Sequence, residues 1–316
     1  MKSCLALVPA DSSAAELEPV LAQAKSCNCD RIYITTTDGA DLKITQQLLD
    51  WLCELYSAVA AVDPRQDAVP CLAAAGWTAD QLAALPDVQL LLAPEALHEQ
   101  AAQLQQQLNT GKAPETQLQL QLQLVPVITM TAPEEPSSQH NEQQQSQEQQ
   151  QQEKQQQEQL LFDHVAVGGT FDRLHAGHRL LLAATALVCS KQVYAGITAD
   201  NLLAKKSHKQ LLHDYEERRA AAVDFMVLVR PGLTVTAGAL SDPQEPTQAE
   251  LDPTMRALVV SQETLPGGQA INNGRASRGF EQLQLVVVGL VGGGSDSKLS
   301  STALREADAA AAGPDS

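Results

Sequence analysis

Apolar and polar positions follow two different periods along the chain, and each change of period marks an element. Residues 30–36 (DRIYITT) are β-branched and read as a strand. Residues 44–59 (ITQQLLDWLCELYSAV) place Leu48, Leu52, Leu55 and Val59 on one helical stripe. Residues 88–92 supply another short buried strand. The region 1–124 is therefore expected to be α/β, with a core or partner-docking role and no catalytic constellation of its own. Within it, residues 117–124 (QLQLQLQL) alternate without a break. That is the period of a half-buried strand, and equally the product of an expanded Gln-Leu repeat.

Residues 125–159 change character, being polar and glutamine-dominated from about Pro133. Such a stretch buries too little apolar area to offset its ordering entropy, so a flexible or transiently helical linker is expected. The pattern returns in residues 160–306. Residues 162–168 (FDHVAVG) form a strand ending at Gly168-Gly169. Residues 178–190 form a helix with Leu181, Ala184 and Val188 on one face, and residues 192–198 (QVYAGIT) a second strand. Strand, glycine turn, helix and strand in this order make a βαβ unit and hence a parallel sheet. Apolar runs at 225–229, 257–260 and 285–290 are read as further strands. The predicted fold is a doubly wound, Rossmann-like α/β domain with its site at the carboxyl ends of the strands, followed by an Ala-rich tail at 307–316. Residues from about Leu160 onward are expected to fold and turn over alone.

Composition narrows the partners. The formal charge is −17, which argues against nucleic acid or an anionic membrane as the main partner. From Leu160 onward there are 14 Lys+Arg against 17 Asp+Glu, so most of the acidity lies upstream and an anionic ligand remains compatible. Cys27 and Cys29 lack the CxxC spacing of a zinc or redox site, and reduced thiols in a cytoplasmic protein are the expectation. No apolar stretch is long enough for a membrane span, and no signal-peptide pattern stands at the start.

The candidate chemistry lies in residues 168–178, GGTFDRLHAGH. A helix N-terminus carries unpaired N–H groups and the positive end of the helix dipole, both of which favour phosphate. Gly169 lets the strand turn close to a ligand, Thr170 adds a hydroxyl, and Gly177 removes a side chain at the helix start. His175 and His178 flank that start and can donate to phosphate oxygens. No third ligand stands at suitable spacing for the two histidines to hold a metal.

This string resembles the signature of the nucleotidyltransferase superfamily, which joins a nucleoside triphosphate to an acceptor anion and releases pyrophosphate. The resemblance implies that the acceptor attacks the α-phosphorus itself, so that catalysis rests on positioning and charge neutralisation. It assigns Gly169, Thr170, Phe171, His175, Gly177 and His178 to ATP, with His178 the foremost transition-state donor and His175 assisting. Residues 298–306, KLSSTALRE, resemble the family's second motif, which places Ser300, Ser301, Thr302 and Arg305 at the triphosphate. A P-loop reading of the preceding VGGGSDSK fails, because it needs glycine at Ser297 and Ser or Thr at Leu299. A lysine after the second strand holds the acceptor phosphate in the family. Lys206 is favoured here, with Lys205 not separable from it, while Arg218 and Arg219 read equally well as helix-surface charges.

Residues 258–272, LVVSQETLPGGQAIN, resemble the corresponding segment of eukaryotic and archaeal-type phosphopantetheine adenylyltransferases. That resemblance implies ATP and 4′-phosphopantetheine as substrates, Thr170, Ser261 and Glu263 on the acceptor side, and Mg²⁺ carried on the ATP phosphates. Residues 48–56 loosely resemble the N-terminal part of bifunctional CoA synthase. The kinase domain of that enzyme is not expected, which assigns dephospho-CoA phosphorylation to another protein. The competing readings are a cytidylyltransferase acting on a phosphoalcohol, which usually carries RTEGISTS near its end, and a non-catalytic scaffold that retains the fold.

Overall fold

A computed structural model of the chain describes residues 2–110, 120–127, 158–292 and 301–312. The first sheet is built from β1 (Ser3–Val8), β2 (Arg31–Thr36), β3 (Asp67–Pro70), β4 (Val88–Pro94) and β5 (Gln121–Val125), in the order β3-β2-β1-β4-β5. Every pairing in it is parallel. All six residues of the central β1, SCLALV, are buried, as expected of a parallel strand covered on both faces. Its helices are α1 (Ala14–Ser26), α2 (Gln46–Val62), the short α3 (Ala79–Ala83) and α4 (His98–Thr110). The predicted stripe of α2 is buried in full. Residues 121–125 of the QLQLQLQL tract pair with β4 as an edge strand. Residues 117–119, and 128–157 of the expected linker, lie outside the described residues.

The second sheet contains β6 (Phe162–Gly169), β7 (Cys189–Thr198), β8 (Thr234–Leu240), β9 (Ala257–Ser261) and β10 (Gln284–Val288), in the order β10-β9-β6-β7-β8. It too is parallel throughout. The chain thus follows one path twice: first strand central, second and third to one side, fourth and fifth to the other. Its helices are α5 (Ala176–Val188), α6 (Tyr215–Val229), the single-turn α7 (Gln248–Leu251), α8 (Leu265–Ser277) and α9 (Ser301–Ala312).

Two expectations are corrected. Residues 225–229, read as a strand, are the last turns of α6. Asp214 and Glu217 form a capping box that starts this helix, and Phe225, Met226 and Val229 continue its buried face. The third strand of the sheet is instead residues 234–240 (TVTAGAL), whose small residues gave little strand signal. The boundary drawn after Glu306 falls inside α9, so residues 307–312 continue the helix rather than forming a separate tail.

One hydrophobic core runs through both sheets, with α2 packed on α5. Polar contacts tie the halves further: the Leu160 N–H donates to the Ile44 carbonyl at 2.7 Å, and the Trp77 indole N–H to the Val229 carbonyl at 3.1 Å. Among the described residues no helix is long and apolar enough to cross a membrane.

Candidate active site

The order of the second sheet reverses between β6 and β9, which is where doubly wound sheets bind ligands. Strand β6 ends there at Gly169, and α5 begins seven residues later at Ala176. At Gly169 a Cβ would stand 2.8 Å from the buried Phe171 ring, so any larger residue requires that ring to shift. At Gly177 a Cβ would press on the His175 ring at 3.3 Å. The loop between them carries two left-handed non-glycine residues, Phe171 at φ +53° and Arg173 at φ +46°. Each such residue costs about 1–2 kcal/mol, and this strain persists only where surrounding contacts hold it.

Those contacts are dense. Asp172 is fully buried and pairs with the equally buried Arg305 at 2.6 Å. The Asp172 carbonyl accepts from the Ser301 hydroxyl at 2.8 Å, and its carboxylate from the His213 N–H at 3.2 Å. Arg218 donates to the Thr170 carbonyl at 2.8 Å and to Asp200 at 2.6 Å. Arg173 bonds the Leu211 carbonyl and, at 2.9 Å, Asp308. The two sequence motifs, 129 positions apart at Asp172 and Ser301, therefore meet on one loop.

His175 is the N-cap of α5 and contributes no side-chain cap, which leaves the first amide N–H groups of the helix for another acceptor. Its ring stacks on that of His178, with centroids 3.9 Å apart and planes 23° apart, and Phe171 meets His178 edge-on at 5.5 Å. Burial lowers the His175 pKa from 6.5 to about 4, against the Asp172 charge that raises it. Burial, followed by His175, also holds His178 well below its ordinary value, and the nearby Arg179 and Lys206 charges add to this. Both imidazoles are neutral near pH 7, and the Nδ1 atom of each is buried without a hydrogen-bond partner. Unpaired buried nitrogens at an uncapped helix start are costly unless a ligand completes them. An arriving anion has the opposite effect from burial, since negative charge favours the protonated ring.

The remaining expected residues distribute as follows. Thr170 faces Thr198 at the end of β7, hydroxyl to hydroxyl at 3.4 Å. Lys205 and Lys206 are exposed in the turn after β7, and the Lys206 charge is felt at His178. Ser261 ends β9, with its N–H and hydroxyl on the Thr264 hydroxyl at 3.0 and 3.1 Å; Glu263 lies exposed in the same turn. Ser301 opens α9, the Thr302 hydroxyl accepts from Arg305 at 3.0 Å, and Ser300 lies outside the described residues. Arg305 is present at the site, but its guanidinium is engaged by Asp172, Thr302 and the Ser207 carbonyl.

Sequence reasoning left Asp172, Arg173 and Asp308 without roles, and left Arg218 undecided between site and surface. Arg219 is indeed a surface charge, paired with Glu216. Arg218 is fully buried. The signal for it was available: the Asp214 cap fixes the helical phase, which puts position 218 on the same stripe as Ala222, Phe225 and Val229.

Residues 166–307 match the family described as cytidylyltransferase-like. A phosphopantetheine adenylyltransferase of Pyrobaculum aerophilum is 36% identical over 145 residues, which cover 46% of this chain and 90% of that protein. The chain belongs to the phosphopantetheine adenylyltransferase family. A member from Methanopyrus kandleri is 39% identical over 144 residues, covering 46% of this chain and 89% of its own length. One from Saccharomyces cerevisiae is 37% identical over 157 residues, and the chain spans about half its length, 51%. In the Pyrobaculum member so little lies beyond the match that roughly half of this chain has no counterpart there.

Proposed function

We propose that the chain transfers the adenylyl group of ATP to 4′-phosphopantetheine, giving 3′-dephospho-CoA and pyrophosphate. The observation that carries this reading is the meeting of the two motifs: Ser301 on the carbonyl of Asp172, beside a stacked histidine pair whose Nδ1 atoms lack partners. The acceptor chemistry comes from the family to which the chain belongs, whose members in yeast and archaea carry that name.

In this mechanism an acceptor phosphate oxygen attacks the α-phosphorus, the bond to the bridging oxygen breaks, and pyrophosphate leaves with the electron pair. No protein nucleophile takes part, so the protein orients the two phosphates and neutralises charge. The triphosphate lies against the amide N–H groups at the start of α5 and against Ser300, Ser301 and Thr302. His178 and His175 donate to its oxygens, with His178 following the α-phosphate into the transition state. Lys206 holds the acceptor phosphate, Lys205 flanks it, and Ser261 and Glu263 line the acceptor side across β9. Arg218 and Arg305 hold the loop that presents Thr170 and Phe171.

Mg²⁺ suits this donor set when carried on the phosphates. Asp172, the carboxylate of the signature loop, is committed to Arg305, and among the described residues no cluster of His, Cys, Asp or Glu is placed to hold a metal. When bound, the ion would supply positive charge that offsets the charge of the pyrophosphate leaving group. We place the protein in the cytoplasm, where its six free cysteines stay reduced.

The test is pyrophosphate release by the full chain over a grid of nucleotides and acceptors with Mg²⁺. ATP with 4′-phosphopantetheine is expected to be the productive pair. Preference for CTP with a phosphoalcohol overturns the substrate assignment, and silence across the grid favours a scaffold.

A further inference from the structure

The first sheet reaches the site through three consecutive residues at the start of β3, Arg65-Gln66-Asp67. Gln66 turns back into its own half, its side-chain amide donating to the carbonyls of Cys29 and Asp30 at 3.1 and 2.9 Å. Its two neighbours turn the other way. Arg65 donates to one oxygen of Asp308 at 2.5 Å and to the Leu304 carbonyl at 3.4 Å. The second oxygen of Asp308 accepts from Arg173 of the signature loop at 2.9 Å. Asp67 forms an ion pair with Arg179, the residue after His178. The stretch leading toward α9 is held from the same side, where the Gly292 N–H donates to the Ser57 hydroxyl at 3.1 Å.

We infer that Arg65 is a positioning residue: through Asp308 it ties the first sheet to Arg173 and fixes the placement of α9, which keeps Ser301 and Thr302 against the signature loop. This gives the first half of the chain a task in the transfer reaction. The geometry is a relay, because one carboxylate serves two arginines from different halves, and the second arginine belongs to a strained loop at φ +46°. Asp308 also acts across one helical turn from Leu304, whose carbonyl takes the weaker Arg65 contact, so both bonds pin the same face of α9. Arg65 lies outside residues 166–307, the part of the chain that the family model matches.

The kinetic part of the inference rests on the adenylyl-transfer reading; the mechanical part does not, and the experiment separates them. Arg65→Ala, Arg65→Lys, Asp308→Asn and the Ala/Asn double variant are made in the full chain. Backbone hydrogen exchange is followed at residues 301–308 without nucleotide, and KM for ATP and kcat are measured separately. Arg65 is about half exposed, so the expected effects are modest. Arg65→Ala speeds exchange at 301–308 while β1 and β6 are unchanged, and raises KM for ATP by about fivefold with a smaller change in kcat. Arg65→Lys recovers part of both effects, and the double variant is no worse than its worse parent. Unchanged exchange at 301–308, or exchange that speeds equally everywhere, overturns the inference. So does an unchanged KM in an active enzyme. If the wild type releases no pyrophosphate with any pair, the functional reading fails and the exchange data alone decide the role of Arg65. Should Arg65→Ala not fold, the Lys and Asn variants carry the same comparison.

Discussion

Replacing His178 by alanine is expected to lower kcat by about 10²–10³-fold while the chain stays folded. A donor aimed at charge that develops only in the transition state is worth ~3–4 kcal/mol in a site closed to water. His178 meets that description. It sits in the first turn of α5, is partly buried, and has a buried ring nitrogen, Nδ1, without a protein partner. The ring also packs on His175 and Phe171, so alanine removes contacts as well as the donor. His178→Asn separates the two effects, because it keeps a donor of shorter reach and should lose less kcat. The measurements are steady-state kinetics and urea unfolding of both variants. Activity within tenfold of wild type for the alanine variant removes the role assigned to this imidazole.

The second large effect is on stability. Asp172→Asn leaves the Arg305 guanidinium, 1% exposed, without its counter-charge. Breaking a buried ion pair from one side costs about 3–5 kcal/mol, a fall in Tm of roughly 10 °C for a chain of this size. The loss is local in origin, because the same residue braces the loop that holds Ser301 and receives the His213 N–H. Removing both charges together, Asp172→Asn with Arg305→Met, avoids the unpaired guanidinium and should restore part of the stability. It should not restore activity, since the placement of α9 against the loop depends on the pair. Calorimetric melting of the wild type and the two variants checks this, and an Asp172→Asn chain that melts with the wild type contradicts it.

Much of the fold was legible because the βαβ code is local. Glycines after an apolar run, an alanine-rich helix and a β-branched strand specified β6, α5 and β7 to within a few residues. The exceptions have physical causes. Phe225, Met226 and Val229 form a contiguous apolar run in sequence, and only the capping box upstream shows that they belong to a helical face. The strand at 234–240 (TVTAGAL) carries Ala-Gly-Ala at its centre, residues of weak strand propensity, and it is held by pairing with β7. The repeated path of the two sheets left no trace in the motifs, because topology depends on which strands pair and not on local pattern. In the site, the histidines, glycines and Ser301 could be named from their motifs. Arg65, Asp67 and Asp308 could not, since their roles come from the docking of one half on the other.

The central claim is that residues 168–179 and 301–308 bind one triphosphate between them. The most direct measurement is hydrogen exchange of the full chain with and without Mg²⁺ and a non-hydrolysable ATP analogue. Protection of both segments, rising together at a single apparent affinity, is the predicted result. Protection of one segment alone, or of the carboxyl edge of the first sheet in place of both, would contradict it.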